Sequence, residues 1–216
     1  MKFADRAAAG ERLARELAEY RGRGDVLVLG LPRGGVPVAY PVARSLGAPL
    51  DVFLVRKLGV PGHEELAMGA LASGGVRVLN PEVMQRLEID DAALDEVTAR
   101  ERRELERRER AYRGERSAPE VRDRTVILVD DGLATGSTMR AAASALREEE
   151  PAELVVAVPV AASEVCDKFR DQVDRVVCAE MPERLHAVGL WYEDFAQTTD
   201  DEVRGLLALA REGHGG

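Results

Sequence analysis

A chain of 216 residues is long enough for one domain with a sizeable core, and its 45% hydrophobic and 32% charged residues predict a folded, soluble protein. A formal net charge of −9 argues against nucleic-acid binding as the main task, and two cysteines without a CxxC spacing argue against a disulfide framework or a zinc site. The sequence shows neither a signal peptide nor a stretch that could span a membrane, so we expect a cytoplasmic protein without a membrane or nucleic-acid partner.

The first eighty residues alternate between helical and strand-like patterns. Leu13, Leu17 and Tyr20 recur at helical spacing among charged residues, which is typical of an amphipathic helix. Short apolar runs bounded by glycine or proline are typical of buried strands. The predicted elements are a helix at 3–21, a strand at 25–30, a loop at 31–35, a helix at 36–46, a strand at 50–55, a polar loop at 56–66 and hairpin strands at 68–72 and 76–79.

Residues 81–119 interrupt this alternation. A helical stretch from about residue 90 to residue 113 is rich in Glu and Arg at i, i+4 spacing, with a thin apolar stripe between Leu94 and Tyr112. Because its basic and acidic residues alternate, it does not form a patch for nucleic acid. We interpret the segment as a helical insertion, a structural arm that packs on the body or on a partner subunit. A lid over the active site is the alternative.

The alternation resumes after this insertion. The remaining predicted elements are a strand at 126–129, a helix from 139, strands at 154–160 and 175–178 with a helix at 163–169 between them, and a helix at 200–211. Strands that alternate with helices imply an α/β fold, in which helices flank a parallel twisted sheet. Ligands of such sheets bind beyond the carboxyl ends of the strands, where Arg33, Arg56 and Asp130 fall.

The run from Val126 to Thr138 is the most informative motif. Four apolar residues predict a buried strand, Asp130 and Asp131 follow it directly, and small and hydroxyl residues then lead into a helix. The free N–H groups of such a helix start can hold a phosphate dianion, and the carboxylates can accept hydrogen bonds from sugar hydroxyls. Other phosphate loops fit less well, because a P-loop would carry Lys in place of Ser137 and a dinucleotide loop needs G-x-G-x-x-G.

This run resembles the phosphoribosyl-pyrophosphate (PRPP) binding signature of type I phosphoribosyltransferases. The resemblance implies the Rossmann-like α/β fold of that family, with Asp130 and Asp131 holding the ribose hydroxyls. It also implies that the 5′-phosphate is held by Ala134, Thr135, Gly136, Ser137 and Thr138. Ala134 stands where the 6-oxopurine members carry an aspartate, which disfavours hypoxanthine, guanine and xanthine as substrates.

The segment from Leu31 to Pro37 lies between a predicted strand and a predicted helix. Gly34 and Gly35 would let the backbone approach a ligand closely, and Arg33 offers a planar fork for phosphate oxygens. The segment resembles the pyrophosphate loop of the same family, in which a non-proline cis peptide is common. A tight turn with a solvated arginine is the alternative.

Residues 56–65 resemble the mobile catalytic loop of the family, which closes over PRPP. The resemblance implies that Arg56 or Lys57 neutralises the pyrophosphate as it leaves. Closure of such a loop would also keep water away from the reactive sugar. A flexible surface loop with an incidental basic pair is the alternative.

Residues 188–195 contain the single Trp of the chain and two further aromatic residues. At this point, after the last strand, type I members place a hood over the nucleobase, and residues 180–198 would form it. The resemblance implies base contacts from Trp191, Tyr192, Asp194 and Phe195. A small apolar core that anchors the C-terminal helix is the alternative.

These motifs identify the chain as resembling type I phosphoribosyltransferases, most of all bacterial members of unassigned substrate. The core would comprise residues 1–80 and 120–216, with 81–119 inserted. The resemblance implies a pentosyltransferase of nucleotide metabolism, such as purine or pyrimidine salvage, which moves 5-phosphoribosyl from PRPP to a nitrogenous base and releases pyrophosphate. A non-catalytic sensor of PRPP or a nucleotide is the alternative. A hydrolase is disfavoured, because no G-x-S-x-G elbow is present.

The resemblance also implies a cofactor and partners. Mg²⁺ would be bound through PRPP and water rather than by dedicated protein ligands, with Asp130 and Asp131 as the candidate carboxylates. The partners would be PRPP and a small base, and a homodimer is left open.

Overall fold

The computed structural model describes residues 2–213, and within that range it contains eight strands and seven α-helices. The strands are β1 Val26–Gly30, β2 Leu50–Val52, β3 Val55–Val60, β4 His63–Ala72, β5 Arg77–Leu79, β6 Thr125–Val129, β7 Glu153–Val160 and β8 Arg175–Glu180. The α-helices are α1 Arg6–Glu16, α2 Gly35–Leu46, α3 Pro81–Arg86, α4 Asp91–Arg113, α5 Ser137–Glu148, α6 Ser163–Asp167 and α7 Asp200–Glu212. None of the helices in this described part is both long and apolar enough to cross a membrane.

Five strands form a parallel sheet in the order β2-β1-β6-β7-β8. The central strand, β6, pairs with β1 in register from Val26 opposite Thr125 to Gly30 opposite Val129. Both strands are buried along their whole length, which is why they consist of continuous apolar runs rather than alternating polar and apolar residues. The predicted α/β fold, a parallel sheet flanked by helices, is confirmed.

Helices cover both faces of this sheet. On one face, α1, α2 and α7 pack in the same core as Val28 and Ile127. On the other face, α5 and α6 pack in the same core as Leu29 and Leu128. Because successive residues of a strand point to opposite faces, β1 and β6 each contribute to both cores. With both faces covered, the loops at the carboxyl ends of the strands are the part of the sheet open to a ligand.

A second sheet, antiparallel in the order β3-β4-β5, corrects one prediction. Residues 56–66, expected to form a polar loop, instead form most of β3, a two-residue turn and the start of β4. The polar sequence is compatible with a strand because Leu58 and Val60 are buried on one face of β3 while Lys57 on the other face is exposed. The hairpin predicted just downstream is confirmed by the pairing of β4 with β5.

The long charged helix predicted at 90–113 is confirmed as α4, and a short helix that no sequence pattern predicted, α3, precedes it. α4 packs against β3, β4 and α7. It buries three aliphatic side chains, those of Leu94, Val97 and Leu105. At its last residue, the buried Arg113 guanidinium donates to Asp51 Oδ1 at 3.0 Å and to Val52 O at 2.5 Å. α4 is therefore fixed to the body of its own chain.

The N-terminal residues and the aromatic segment 188–195 pack against each other. The N–H of Phe3 donates to Trp191 O at 2.8 Å, and the N–H of Glu193 donates to Phe3 O at 2.8 Å. Phe3 and Tyr192 belong to the same small apolar cluster, whereas α7 packs against α2, β2 and α4. The alternative prediction, that the aromatic segment anchors the C-terminal helix, is therefore wrong, because the segment anchors the N-terminus.

Replacement of Arg113 by methionine should destabilise the fold, because Asp51 and Glu109 would lose a buried cationic partner. Breaking a fully buried ion pair costs about 3–5 kcal/mol, and the partial exposure of both carboxylates lowers the expected loss to about 2–3 kcal/mol. Calorimetry should record a fall in Tm of roughly 5–10 °C. Arg110→Met, on an exposed position of the same helix, is the matched control with an expected change under about 0.5 kcal/mol. Equal Tm values for the two variants would contradict the anchoring role.

Candidate active site

The loops that follow β1 and β6 meet at the carboxyl ends of these neighbouring strands. In the β1 loop, residues 31–35, the N–H of Leu31 donates to Val129 O at 2.9 Å. A Cβ added at Gly34 would lie 2.1 Å from Asp131 Oδ2, and a Cβ added at Gly35 would lie 2.6 Å from Val129 O. Only glycine fits at both positions, so the backbone of the β1 loop lies directly against the residues that follow β6. The peptide bond of this loop between residues 32 and 33 is cis.

Asp130 and Asp131, the acidic pair, lie half-buried at the end of β6. The N–H of Asp131 donates to Asp130 Oδ1 at 2.8 Å. Asp131 Oδ2 accepts from Nε and lies 2.9 Å from both Nε and Nη2 of Arg6, the first residue of α1. One carboxylate of the pair is thus held by a guanidinium, and the other is held by the backbone.

The electrostatics of the acidic pair favour retention of a proton. Burial raises the pKa of Asp130, and the negative charge of Asp131 raises it further. Burial also raises the pKa of Asp131, although the positive charge of Arg6 opposes that effect. Ionising both of these neighbouring carboxyl groups costs free energy because their negative charges repel. A ligand that donates hydrogen bonds to them lowers that cost.

Arg6 is a site residue that no sequence motif predicted. Its Nη1 donates to Ala196 O at 2.7 Å, and its guanidinium lies 3.9 Å from the centroid of the Phe195 ring. One side chain therefore joins the start of α1, the acidic pair and the aromatic segment. The sequence holds no local signal for this role, because Arg6 and Asp131 are 125 positions apart.

The β6 loop, residues 132–136, ends in a helix start without a side-chain cap. Gly136 adopts a left-handed conformation with φ of 71°, and a Cβ there would lie 2.8 Å from the Phe169 ring. The exposed hydroxyls of Thr135 and Ser137 lie 3.4 Å apart. The N–H of Ser137 donates to Thr135 Oγ1 only at 3.5 Å, so the start of α5 offers weakly engaged N–H groups beside two exposed hydroxyls, an arrangement that can bind a phosphate group.

The two basic residues expected in a mobile catalytic loop lie instead on β3. Arg56 is paired with Glu101 of α4, to which its Nε and Nη2 donate at 2.9 and 2.6 Å. Lys57 is exposed, and its Nζ lies 3.4 Å from Glu65 O across the hairpin. Arg56 borders the cavity beside the β1 loop, whereas Lys57 is not among the residues that line it.

This cavity has a volume of about 270 Å³. Its walls are formed by the β1 loop, the residues after β2, one side of α4, and the first turns of α5 and α7. The charged residues that line it are four arginines and one aspartate, namely Arg33, Arg56, Arg107, Arg108 and Asp200. A chain with a net charge of −9 thus places a cationic recess next to the acidic pair.

The four residues expected in a hood differ in their exposure. Tyr192 is buried, and its hydroxyl donates to Asp131 O at 2.6 Å, so this contact fixes the backbone of the acidic pair. Burial raises the pKa of Tyr192 above its usual range, which keeps the hydroxyl a donor. Trp191 is half-buried in the cluster around Phe3, and Asp194 Oδ1 accepts from Ala196 N at 2.9 Å. Phe195 is 38% exposed, and the Arg6 guanidinium packs against its ring.

Replacement of Asp130 by asparagine is expected to stabilise the ligand-free protein at neutral pH. Folding raises the pKa of this carboxyl above its ordinary 3.8, so the native state binds the proton more tightly than the unfolded state does. Asp130 therefore costs stability as the pH rises from about 4 through the raised pKa. Asparagine cannot ionise and keeps an oxygen for the Asp131 N–H.

The expected gain is about 1–2 kcal/mol at pH 8, or roughly 3–6 °C in Tm, and it should vanish towards pH 4. Calorimetry between pH 4 and pH 8 measures it, with the exposed Asp171→Asn as control. A gain in Tm that does not change with pH would contradict the burial of an ionised carboxylate.

Comparison with known proteins agrees with this geometry. The family model described as "Phosphoribosyl transferase domain" matches residues 3–192. Two Mycobacterium tuberculosis proteins, from strains CDC 1551 / Oshkosh and ATCC 25618 / H37Rv, are each named "Putative phosphoribosyl transferase" and are 47% identical over 208 residues. These matches cover 96% of this chain and 47% of each relative, so the chain spans about half the length of the curated relatives it matches.

One solved structure matches over almost the whole chain. The crystal structure of TT1426 from Thermus thermophilus has a TM-score of 0.85 and 45% sequence identity, and the match covers 96% of this chain and 98% of that one. The family match includes the β1 loop, the acidic pair and the β6 loop. On these grounds the chain belongs to the phosphoribosyltransferase family.

Proposed function

We propose that this protein transfers the 5-phosphoribosyl group of PRPP to a nitrogenous base and releases pyrophosphate. The observation that carries the proposal is the meeting of the β1 loop, the acidic pair and the start of α5 at the ends of two neighbouring strands. A sugar with a phosphate at one end and a diphosphate at the other needs hydroxyl acceptors between two anion sites. This order of groups supports PRPP over a ligand with a single phosphate.

In this proposal the acidic pair accepts hydrogen bonds from the 2′- and 3′-hydroxyls of the ribose. Two contacts support that role by fixing the backbone of the pair, the Asp131 N–H to Asp130 and the Tyr192 hydroxyl to Asp131 O. Hydroxyl donors also favour the ionised carboxylates, which burial disfavours in the free protein. Sugar binding would therefore release a proton from the pair.

The 5′-phosphate is proposed to lie at the start of α5. Its ligands would be the N–H groups and hydroxyls of Ala134, Thr135, Gly136, Ser137 and Thr138. Support comes from the uncapped helix start and from the exposure of both hydroxyls at residues 135 and 137. The positive end of the helix dipole adds to the attraction for a dianion.

The diphosphate is proposed to lie along the β1 loop, with Arg33 and the N–H group of Gly34 as its ligands. The Gly35 N–H already donates to Leu31 O at 3.0 Å, so Gly35 would contribute by letting the loop lie against the residues that follow β6. Mg²⁺ prefers oxygen ligands and usually combines one or two carboxylates with phosphate oxygens and water. The acidic pair offers such carboxylates beside the β1 loop, so these residues fit an ion that arrives bound to PRPP. When bound, Mg²⁺ would neutralise charge on the leaving diphosphate.

The base is proposed to lie against Phe195, because this ring is partly exposed and is held next to the acidic pair by Arg6. Trp191 would act mainly by fixing this segment, since it is half-buried against the N-terminal residues. Asp194 remains a candidate for contact with the N–H groups of a base. The acceptor nitrogen would then approach C1 of the ribose from the aromatic side.

The reaction needs positioning and charge compensation rather than a covalent nucleophile. The nitrogen lone pair forms the new bond at C1, and the electrons of the C1–O bond leave with the diphosphate. Positive charge develops on the ribose between these steps, next to the acidic pair. Fixed charges of this kind stabilise a transition state because they need no reorganisation as the charge develops.

The first test is pyrophosphate release from PRPP and Mg²⁺ with a panel of purine, pyrimidine and pyridine bases, together with calorimetric titration of PRPP. Release with one base would support the transferase and identify its acceptor. PRPP binding without release for any base would contradict the transferase and favour the sensor.

Asp131→Asn should lower PRPP-dependent turnover at least tenfold, because it removes a charge-assisted hydrogen bond of roughly 1.5–3 kcal/mol to the ribose. Asp171→Asn makes the same chemical change on the surface and should turn over like the wild type. The measurement is kcat/KM for PRPP at saturating base. Wild-type turnover in Asp131→Asn would refute the assignment of the ribose to the acidic pair.

Phe195→Ala should raise KM for the base about tenfold while the Kd of PRPP changes less than twofold. Loss of a base–aromatic stacking contact is worth about 1–3 kcal/mol. Trp191→Ala is the comparison, and it should weaken both ligands to a similar extent because it loosens the whole segment. If Phe195→Ala weakened PRPP and the base equally, its ring would have a scaffolding role instead.

A further inference from the structure

We propose that the inserted helix α4 supplies Arg107 and Arg108 as ligands of the diphosphate of PRPP and of the released pyrophosphate. The inference rests on the proposed function, and it gives the insertion a role in the active site. It assigns the diphosphate to the cavity beside the β1 loop, one wall of which is formed by α4.

The order of strands in the sheet sets the direction of the bound substrate. The aromatic segment and the β6 loop lie towards β7, since Leu133 bridges Ala161 and Gly132 lies against Val188. The β1 loop lies on the opposite side of β6, towards β2. A PRPP molecule whose ribose contacts the acidic pair would therefore extend its diphosphate along the β1 loop to the cavity between that loop, β2 and α4.

The charge of this cavity fits a diphosphate. Four arginines line it, and the one acidic residue among the described lining residues, Asp200, is already engaged. The hydroxyl of Tyr112 donates to Asp200 Oδ1 at 2.6 Å, and burial raises the pKa of Tyr112 to about 12, so the donor stays protonated. Asp200 is also the first residue of α7, where the helix dipole offsets its charge. The cavity therefore attracts a multiply charged anion.

Exposure decides which of these arginines can turn towards a ligand. Arg56 is 28% exposed and its partner Glu101 is 12% exposed, so withdrawing Arg56 would leave a largely buried carboxylate with only the more exposed Arg100, whose Nε donates to Glu101 Oε1 at 3.2 Å. Arg107 and Arg108 are 64% and 46% exposed, and both contact the same Glu104. Such exposed pairs contribute little, and one carboxylate competes weakly with a diphosphate for two guanidinium groups.

The backbone that carries these arginines is held in place from both sides. Glu101 binds Arg56 nearly two turns before them, and Tyr112 and Arg113 bind Asp200 and Asp51 just after them. Arg107 and Arg108 therefore need only side-chain rotation to turn their guanidinium groups into the cavity. Because the helix backbone is already fixed, binding of the diphosphate costs the conformational entropy of these side chains but not that of the backbone.

The experiment compares two double variants of α4 by calorimetric titration at constant ionic strength with Mg²⁺ present. Arg107→Gln with Arg108→Gln removes the proposed ligands. Arg102→Gln with Arg103→Gln makes the same change in charge on the same helix, at exposed positions away from the cavity. The probes are inorganic pyrophosphate, PRPP and ribose 5-phosphate, and thermal melting checks that each variant is folded.

The first double variant should bind pyrophosphate and PRPP at least tenfold more weakly and ribose 5-phosphate within twofold of wild type, while the control changes every affinity less than twofold. Wild-type affinity for pyrophosphate in the first variant, or an equal loss in the control, would overturn the inference while the transferase stands. If pyrophosphate bound and depended on these arginines while PRPP and ribose 5-phosphate did not bind, the anion site would stand and the transferase would fall.

A gain-of-affinity variant excludes loss of structure as the explanation. Glu104→Gln removes the carboxylate that holds both arginines and should tighten pyrophosphate binding about twofold to fivefold, the scale of an exposed ion pair. In the Arg107→Gln, Arg108→Gln background the same change should have no effect. Weaker binding in Glu104→Gln would show that Glu104 positions the arginines rather than competing for them, and an equal gain in both backgrounds would show a general effect of charge.

Discussion

The in-register pairing of β1 with β6 is the constraint on which the site depends. Because Gly30 lies opposite Val129, the chain leaves both strands at the same level, and the β1 loop contacts the acidic pair with no room for a Cβ at Gly34 or Gly35. A shift of one residue between these strands would separate the loop from the carboxylates by about 3.3 Å. The register of these two buried strands therefore sets the geometry of the site.

The acidic pair shows how this fold accepts a local cost in stability. Two carboxylates at the end of a buried strand repel each other, and burial raises the pKa of each. Arg6 compensates one of them and at the same time packs on Phe195. The proposed sugar and base sites therefore share one guanidinium group. A ligand that displaces Arg6 from Asp131 would also affect the base site, and a ligand that displaces Arg6 from the Phe195 ring would also affect the sugar site.

The sequence predicted those features that depend on local pattern and failed for those that depend on distant contacts. The buried strands, α4 and the helix start after the β6 loop follow from runs of neighbouring residues. Residues 56–66 were expected to form a loop because most of them are polar. A strand of a two-sided hairpin needs to bury only alternate side chains, such as Leu58, so this polar composition is compatible with a strand. Arg6 could not be found, because its partner is set by the packing of α1 against the sheet. The site assignments themselves remain predictions from a motif.

The inserted helix illustrates why net charge says little about a ligand. α4 carries acidic and basic residues in near balance, and the whole chain is acidic. The carboxylates of Glu101 and Glu104 are engaged by arginines of β3 and of α4 itself, while Arg107 and Arg108 are among the residues that border the cavity. The direction in which a helix face points, rather than its composition, decides the local potential. An anionic substrate is thus compatible with an acidic protein when one face of one helix supplies the opposite charge.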